Sequence, residues 1–148
     1  MARQHVDVTA TSAAEPAAVY ALLRDGATWP TWSPLGSFEL ERAGAAGKEG
    51  LGAVRVFRTG RITNREEIVE LVPDQRLSYV LLSGLGIRGY RADIDLTPVE
   101  GGTTIRWRSS FTARVPGTGW LYRRSLTRFI TQCANGLAEH AAAVSRRS

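Results

Sequence analysis

The side chains able to do chemistry sit on a few strand-like stretches. Arg55 lies in GAVRVFRT (52–59), Glu66 and Glu67 in RITNREEIVELV (61–72), and Tyr79, Tyr90 and Ser109 on three later stretches of the same kind. A guanidinium beside a carboxylate and phenols can orient the polar end of a ligand, or move a proton and stabilise a developing anion. Nucleophilic catalysis is poorly supplied, because it needs a hydroxyl or thiol held by a base. The two histidines, His5 and His140, lie near the chain ends, and neither is expected beside Ser109 or Cys133. GLGIRG (84–89) mimics a nucleotide-binding glycine pattern but falls between two strands instead of opening a helix. No metal-ligand spacing is present, so no metal and no other cofactor is expected. Cys133, the single cysteine, has no disulfide partner and reads as an inert buried thiol.

Those side chains need a scaffold, and 148 residues are enough for one domain, 1–148, with a substantial core. The net charge is +5, and Lys48 is the only lysine among 19 basic residues, the signature of a GC-rich coding bias. The arginines are scattered. Their densest groups, Arg123/Arg124/Arg128 and Arg146/Arg147, are short and have no aromatics interleaved, so nucleic acid is not expected as a partner. No apolar run reaches the roughly 20 residues of an integral membrane segment. The start, MARQHVDVTA, lacks the apolar stretch of a signal peptide, which makes the cytoplasm the expected location.

Period-two alternation predicts a first strand at 4–11. A helix follows from near Ala14, with Pro16 in its first turn and an end at Asp25-Gly26. ATWPTWSPLG (27–36) is too proline-broken for a long helix and predicts a second, short one. Strands are then expected at 35–42, 52–59, 61–72, 75–84, 89–99 and 103–115, with a Gly/Ala loop after the first of them and short turns elsewhere. After Pro116-Gly117, apolar residues from Tyr122 to Val144 recur at steps of three and four, which predicts one amphipathic helix of about 25 residues. The fold class is therefore α+β. A curved antiparallel sheet of about seven strands wraps the long C-terminal helix, and the short helices cover an internal hydrophobic cavity.

The order of elements, together with EPAAVYALLRDGATWPTW, GAVRVF, REEIVELVPDQRLSY, GYRADIDLTPVEGGTTIRW and the closing Pro-Gly helix, resembles the START-like helix-grip (SRPBCC) superfamily. That superfamily includes lipid-transfer domains and polyketide cyclases/dehydrases. Strand parity then orders the cavity wall. Tyr90, Ala92, Ile94 and Leu96 face the helix, as do Ile105, Trp107, Ser109 and Phe111, leaving Arg106 and Arg108 on the outer face. On 52–59 hydrophobicity does not choose between Val54/Val56 and Arg55/Phe57; the resemblance implies that Arg55 and Phe57 point inward. An inward arginine needs a partner, and Glu66 and Glu67 are the candidates. Glu67, in phase with Val69 and Leu71, is preferred, although a bulge at Ile68-Val69 would change the parity. Tyr79 shares a face with Leu77 and Leu81, and Phe129 and Cys133 belong to the buried stripe of the helix. Trp32 is expected at the cavity mouth and Trp29 as a wedge behind it.

These residues imply a carrier of a hydrophobic small molecule such as a lipid, polyketide or aromatic compound. A polyketide cyclase/dehydratase drawing on Arg55, Glu67 and Tyr79 is the enzymatic alternative. A stress-related or regulatory protein-interaction module, docking a partner through the basic helix face or the short helices of the lid, is a third reading. A monomer or a homodimer is expected.

Overall fold

The structure, a computed structural model, describes residues 2–147. Seven strands form one antiparallel sheet in the order β1-β7-β6-β5-β4-β3-β2. They are β1 (Gln4–Ser12), β2 (Ser37–Arg42), β3 (Val54–Thr59), β4 (Ile62–Val72), β5 (Arg76–Ser83), β6 (Ile87–Val99) and β7 (Gly102–Ala113). Helix α1 (Pro16–Arg24), a 3-10 turn (Gly26–Thr28) and α2 (Trp29–Trp32) connect β1 to β2, and α3 (Gly119–Arg147) closes the chain. Each neighbouring pair of strands is a sequence hairpin except β1–β7, where the first strand lies against the last.

Local chemistry sets these limits. Pro16 occupies the start of α1, where its missing N–H is harmless. Ser12, four residues earlier, ends β1 and donates its hydroxyl to the Ala138 carbonyl at 2.7 Å. Thr103 of β7 donates to the Ala14 carbonyl at 2.7 Å. The β1–α1 connection is thus pinned between the sheet and α3. β6 starts two residues before the expected Gly89, and an irregularity between Arg88 and Arg91 lets it bend where Gly89 adopts φ 63°. The final helix runs 29 residues, somewhat longer than its apolar periodicity alone marks out.

Helix α3 turns a stripe of Leu126, Ile130, Cys133, Leu137 and small alanines into the concave face of the sheet. The small residues matter because another backbone approaches here. A Cβ built on Gly136 would overlap the carbonyl oxygen of Trp32, so α2 sits directly on α3. Gly136→Ala is expected to cost about 1–3 kcal/mol, the usual penalty of overpacking, despite the better helix propensity of alanine. Urea denaturation checks it; a neutral or stabilising result would mean that α2 does not press on α3 in solution.

The outer face of the sheet is ionic. Asp7 pairs with Arg106, Asp95 with Arg76 and Arg108, and Arg91 with Glu70 and Asp93. The parity of β6 and β7 was legible on this basis, and Arg106 and Arg108 do point away from the helix.

Candidate functional site

Aromatic rings fill the middle of the grip. Trp29 lies 4.8 Å from Trp32, 5.0 Å from Phe57 and 5.7 Å from Trp107, centroid to centroid, and Trp107 meets Trp32 edge-on at 6.4 Å. Both tryptophans of the short helical segment are buried. The indole N–H of Trp29 donates to the Leu23 carbonyl at 3.1 Å, and that of Trp32 to the Thr28 hydroxyl at 3.1 Å. Trp32 is therefore packed between α2, α3 and Trp107 and does not stand at an opening.

Arg55 and Phe57 point inward from β3, in line with the resemblance, and Arg55 is wholly buried. Its guanidinium stacks over Trp29 at 4.8 Å and Phe57 at 5.4 Å. Its ionic partner is Glu49, from the Gly/Ala loop between β2 and β3, rather than a residue of β4: Nη1 lies 3.3 Å from Glu49 Oε1. The same nitrogen donates to the Leu23 carbonyl at 2.9 Å, at the C-terminal end of α1. Glu49 Oε1 also accepts the Gly26 backbone N–H at 2.7 Å. One buried cation thus ties β3 to the β2–β3 loop and to the segment that covers the grip. Arg55 Nε and Nη2 have no hydrogen-bond partner.

On β4 it is Glu66, and not the preferred Glu67, that faces inward. Glu66 stands directly across from Arg55 and from Leu81 in the ladder, and is 7% exposed. Glu67 points outward, its side chain 32% exposed and 3.9 Å from Arg42. A register shift between Ile68 and Glu70 explains the difference: Ile68 opposes Tyr79 and Leu71 opposes Leu77, so Val69 is the extra residue of a bulge. Burial pushes the Glu66 carboxyl up to about 7, against an opposing pull from Arg55. Glu66 Oε1 is buried without a hydrogen-bond partner. Tyr79 and Tyr90 lie with ring centroids 6.1 Å apart. Burial first, and then the neighbouring phenol, raises Tyr79; burial likewise raises Tyr90. Cys133 is raised by burial and then by the charge of Glu66, which makes it the unreactive thiol that the sequence suggested. Ser109 and Phe111 are buried beside them, and the Ser109 hydroxyl and Trp107 indole nitrogen lack partners.

An apolar recess of about 430 Å³ opens at one end of the grip. Its walls include Leu35 after α2, Ile62 and Asn64 of β4, Leu85 of the β5–β6 turn, and Leu126 and Phe129 of α3. Asn64 and Glu66 share the inner face of β4, and Asn64 opposes Phe57. The buried Asn64 Oδ1 also lacks a partner. Asn64 lines the recess, and Glu66 lies two residues further along the same face of β4, outside the recess wall. Among the described residues no three His, Cys, Asp or Glu side chains converge as metal ligands, and no helix is long and apolar enough to cross a membrane.

A sequence model of the family described as polyketide cyclase / dehydrase and lipid transport matches residues 3–142. The chain belongs to that family. Among solved structures, the chain is similar to a START superfamily protein from Mycobacterium smegmatis, with a TM-score of 0.81 at 12% identity over 95% of this chain and 98% of that one. It is also similar to the Zhui aromatase/cyclase of a Streptomyces species, with a TM-score of 0.77 at 18% identity over 99% and 96%. At these identities the likeness is one of fold. No curated protein matches the sequence. Within this member of the family, the sequence singled out Arg55, Phe57, Tyr79, Tyr90, Trp107, Ser109, Phe111 and Cys133, all buried in the grip, and Phe129, half-buried in the recess wall. Glu49, Glu66 as the inner carboxylate, and Asn64 were missed. The trace each left was slight: a lone carboxylate in a small-residue loop, and two polar residues in phase with Arg55 across a hairpin.

Proposed function

We propose that this protein binds a hydrophobic small molecule that enters through the recess and places a polar group beside Glu66 and Arg55. The observation that carries the reading is the buried carboxyl of Glu66 with an unpartnered oxygen, two residues along the inner face of β4 from Asn64 in the wall of the apolar recess. A buried polar atom without a partner costs about 1–3 kcal/mol, and a ligand donor removes that cost. Unpartnered Arg55 nitrogens and Asn64 Oδ1 in the same interior offer further contacts of both signs. The test is native mass spectrometry with thermal-shift measurements against fatty acids, sterols and polycyclic phenols. A ligand at about a hundred times its Kd is expected to raise Tm by roughly 5–10 °C. Ser125→Trp, which fills an exposed position in the recess wall, is expected to abolish the rise. No shift with any of these compounds, or an equal shift in Ser125→Trp, would sink the reading.

A second reading, a cyclase or dehydratase, is supported by the placement of Glu66, buried directly across from Arg55, where burial pushes its carboxyl up toward the range in which a side chain can both take and give a proton. Glu66 would remove a proton from a carbon next to a carbonyl and return it to a hydroxyl leaving as water, with Arg55 beside the developing enolate. Turnover should then vanish in Glu66→Gln while ligand binding persists, whereas in a carrier the substitution changes affinity and nothing else.

A further inference from the structure

The end of the molecule that opens as the recess also carries three strongly exposed apolar side chains. Val115, Trp120 and Leu121, on the β7–α3 connection and the first turn of α3, are 61%, 54% and 50% exposed. Ile62, exposed as well, forms part of the recess wall. The connection is held beside that wall: the Arg114 N–H donates to the Gly86 carbonyl at 3.0 Å, and Gly86 lies against the Tyr122 hydroxyl.

Charge at this end is one-sided. From Thr103 to Ala138 the sequence contains no aspartate or glutamate. Arg106 and Arg108 of that span are paired with Asp7 and Asp95 on the outer sheet face. Arg114, Arg123, Arg124 and Arg128 are exposed, and among the described residues none of them makes an ion pair.

We infer that this end docks on an anionic lipid bilayer, with Trp120, Leu121 and Val115 among the headgroups and the four arginines on phosphates. Tryptophan and leucine ringed by cations are the makeup of an interfacial binder. An acidic protein partner would be met by the arginines alone, and would leave the exposed apolar side chains beside the recess, on separate elements, without a matching surface. So placed, the recess opens onto lipid, and a hydrophobic molecule passes between bilayer and grip without crossing water. The inference rests on the ligand-binding reading for its purpose, but not for its measurement.

Trp120 is the one exposed tryptophan, Trp29, Trp32 and Trp107 being buried, so its fluorescence reports insertion. The protein is mixed with vesicles of phosphatidylcholine alone and with phosphatidylglycerol added, with and without brominated acyl chains. Association with the anionic vesicles and quenching of Trp120 by bromine are expected. Each arginine removed should weaken partitioning roughly fivefold, so Arg123→Gln/Arg124→Gln should lose about 25-fold. Trp120→Ala/Leu121→Ala should also bind more weakly. Both variants should keep the thermal shift given by a ligand in solution. Absence of binding to anionic vesicles overturns the inference, as does binding that high salt abolishes without any quenching of Trp120, the result an acidic protein surface would mimic. If docking fails while the thermal shift stands, only this inference falls; if the shift fails while docking stands, the ligand reading falls alone.

Discussion

Arg55→Met is expected to destabilise the fold by about 3–5 kcal/mol, the cost of breaking a buried ion pair from one side. The substitution keeps much of the apolar stem between Trp29 and Phe57 but leaves Glu49 facing the interior without its cation. It also removes one of two donors to the Leu23 carbonyl, the other being the Trp29 indole. Arg55→Lys should recover only part of the loss, because an ammonium cannot reproduce the planar stack on Trp29. Adding Glu49→Gln to Arg55→Met should restore some stability, since the stranded charge is then gone, and a double-mutant cycle reads that coupling directly. Urea denaturation of the parent, Arg55→Met, Glu49→Gln, the double variant and Arg55→Lys is the measurement. A loss below about 1 kcal/mol for Arg55→Met would show that the clamp between β3, the β2–β3 loop and α1 contributes nothing net.

The second large effect depends on pH. Burial lifts the Glu66 carboxyl to about 7 from an ordinary value of 4.5. Between these values the folded chain holds a proton that the unfolded chain has released, so stability falls as pH rises through this window. The full difference corresponds to roughly 3 kcal/mol. Glu66→Gln keeps the shape and removes the titration. The variant should match the parent near pH 4 and exceed it by up to about 3 kcal/mol at pH 8. A difference that stays constant from pH 4 to pH 8 would mean that Glu66 is solvated and not enclosed.

Legibility in the sequence followed the number of faces each strand buries. On β6 and β7 one face is apolar and the other ionic, so parity assigned Tyr90, Trp107, Ser109 and Phe111 correctly from alternation alone. On β3 both faces are buried: Val54 and Val56 are covered on the outside as Arg55 and Phe57 are on the inside. Alternation carries no information there, and the resemblance supplied the orientation. On β4 the bulge at Val69 defeats counting, because steps of two back from the inward Leu71 reach Val69 and Glu67, one residue out of phase with the inward Ile68 and Glu66. Trp32 was misplaced for another reason. Proline-broken aromatic segments look alike whether they gate or fill, and what decides is Gly136 on a helix more than a hundred residues away. Glu49 was invisible because its role exists only when the loop folds over Gly26 and Arg55.

The pairing of β1 with β7 has a kinetic consequence. The strands from β2 to β7 follow one another as hairpins, each of which can zip from its own turn. β1 must instead join a strand so distant that its Asp7–Arg106 pair spans 99 positions. Closing so long a loop is entropically costly and slow compared with local pairing. β1 is therefore expected to be the last-made edge of the sheet, shown by amide protons of β1 gaining protection after those of β5 and β6 in pulse-labelled refolding. Its arrival brings in Ser12, whose hydroxyl anchors to α3. The two tryptophans can meet Phe57, Trp107 and α3 without β1, but the start of α1 is pinned only when Ser12 reaches the Ala138 carbonyl, so the cover over the grip is tied down at that end only as β1 docks.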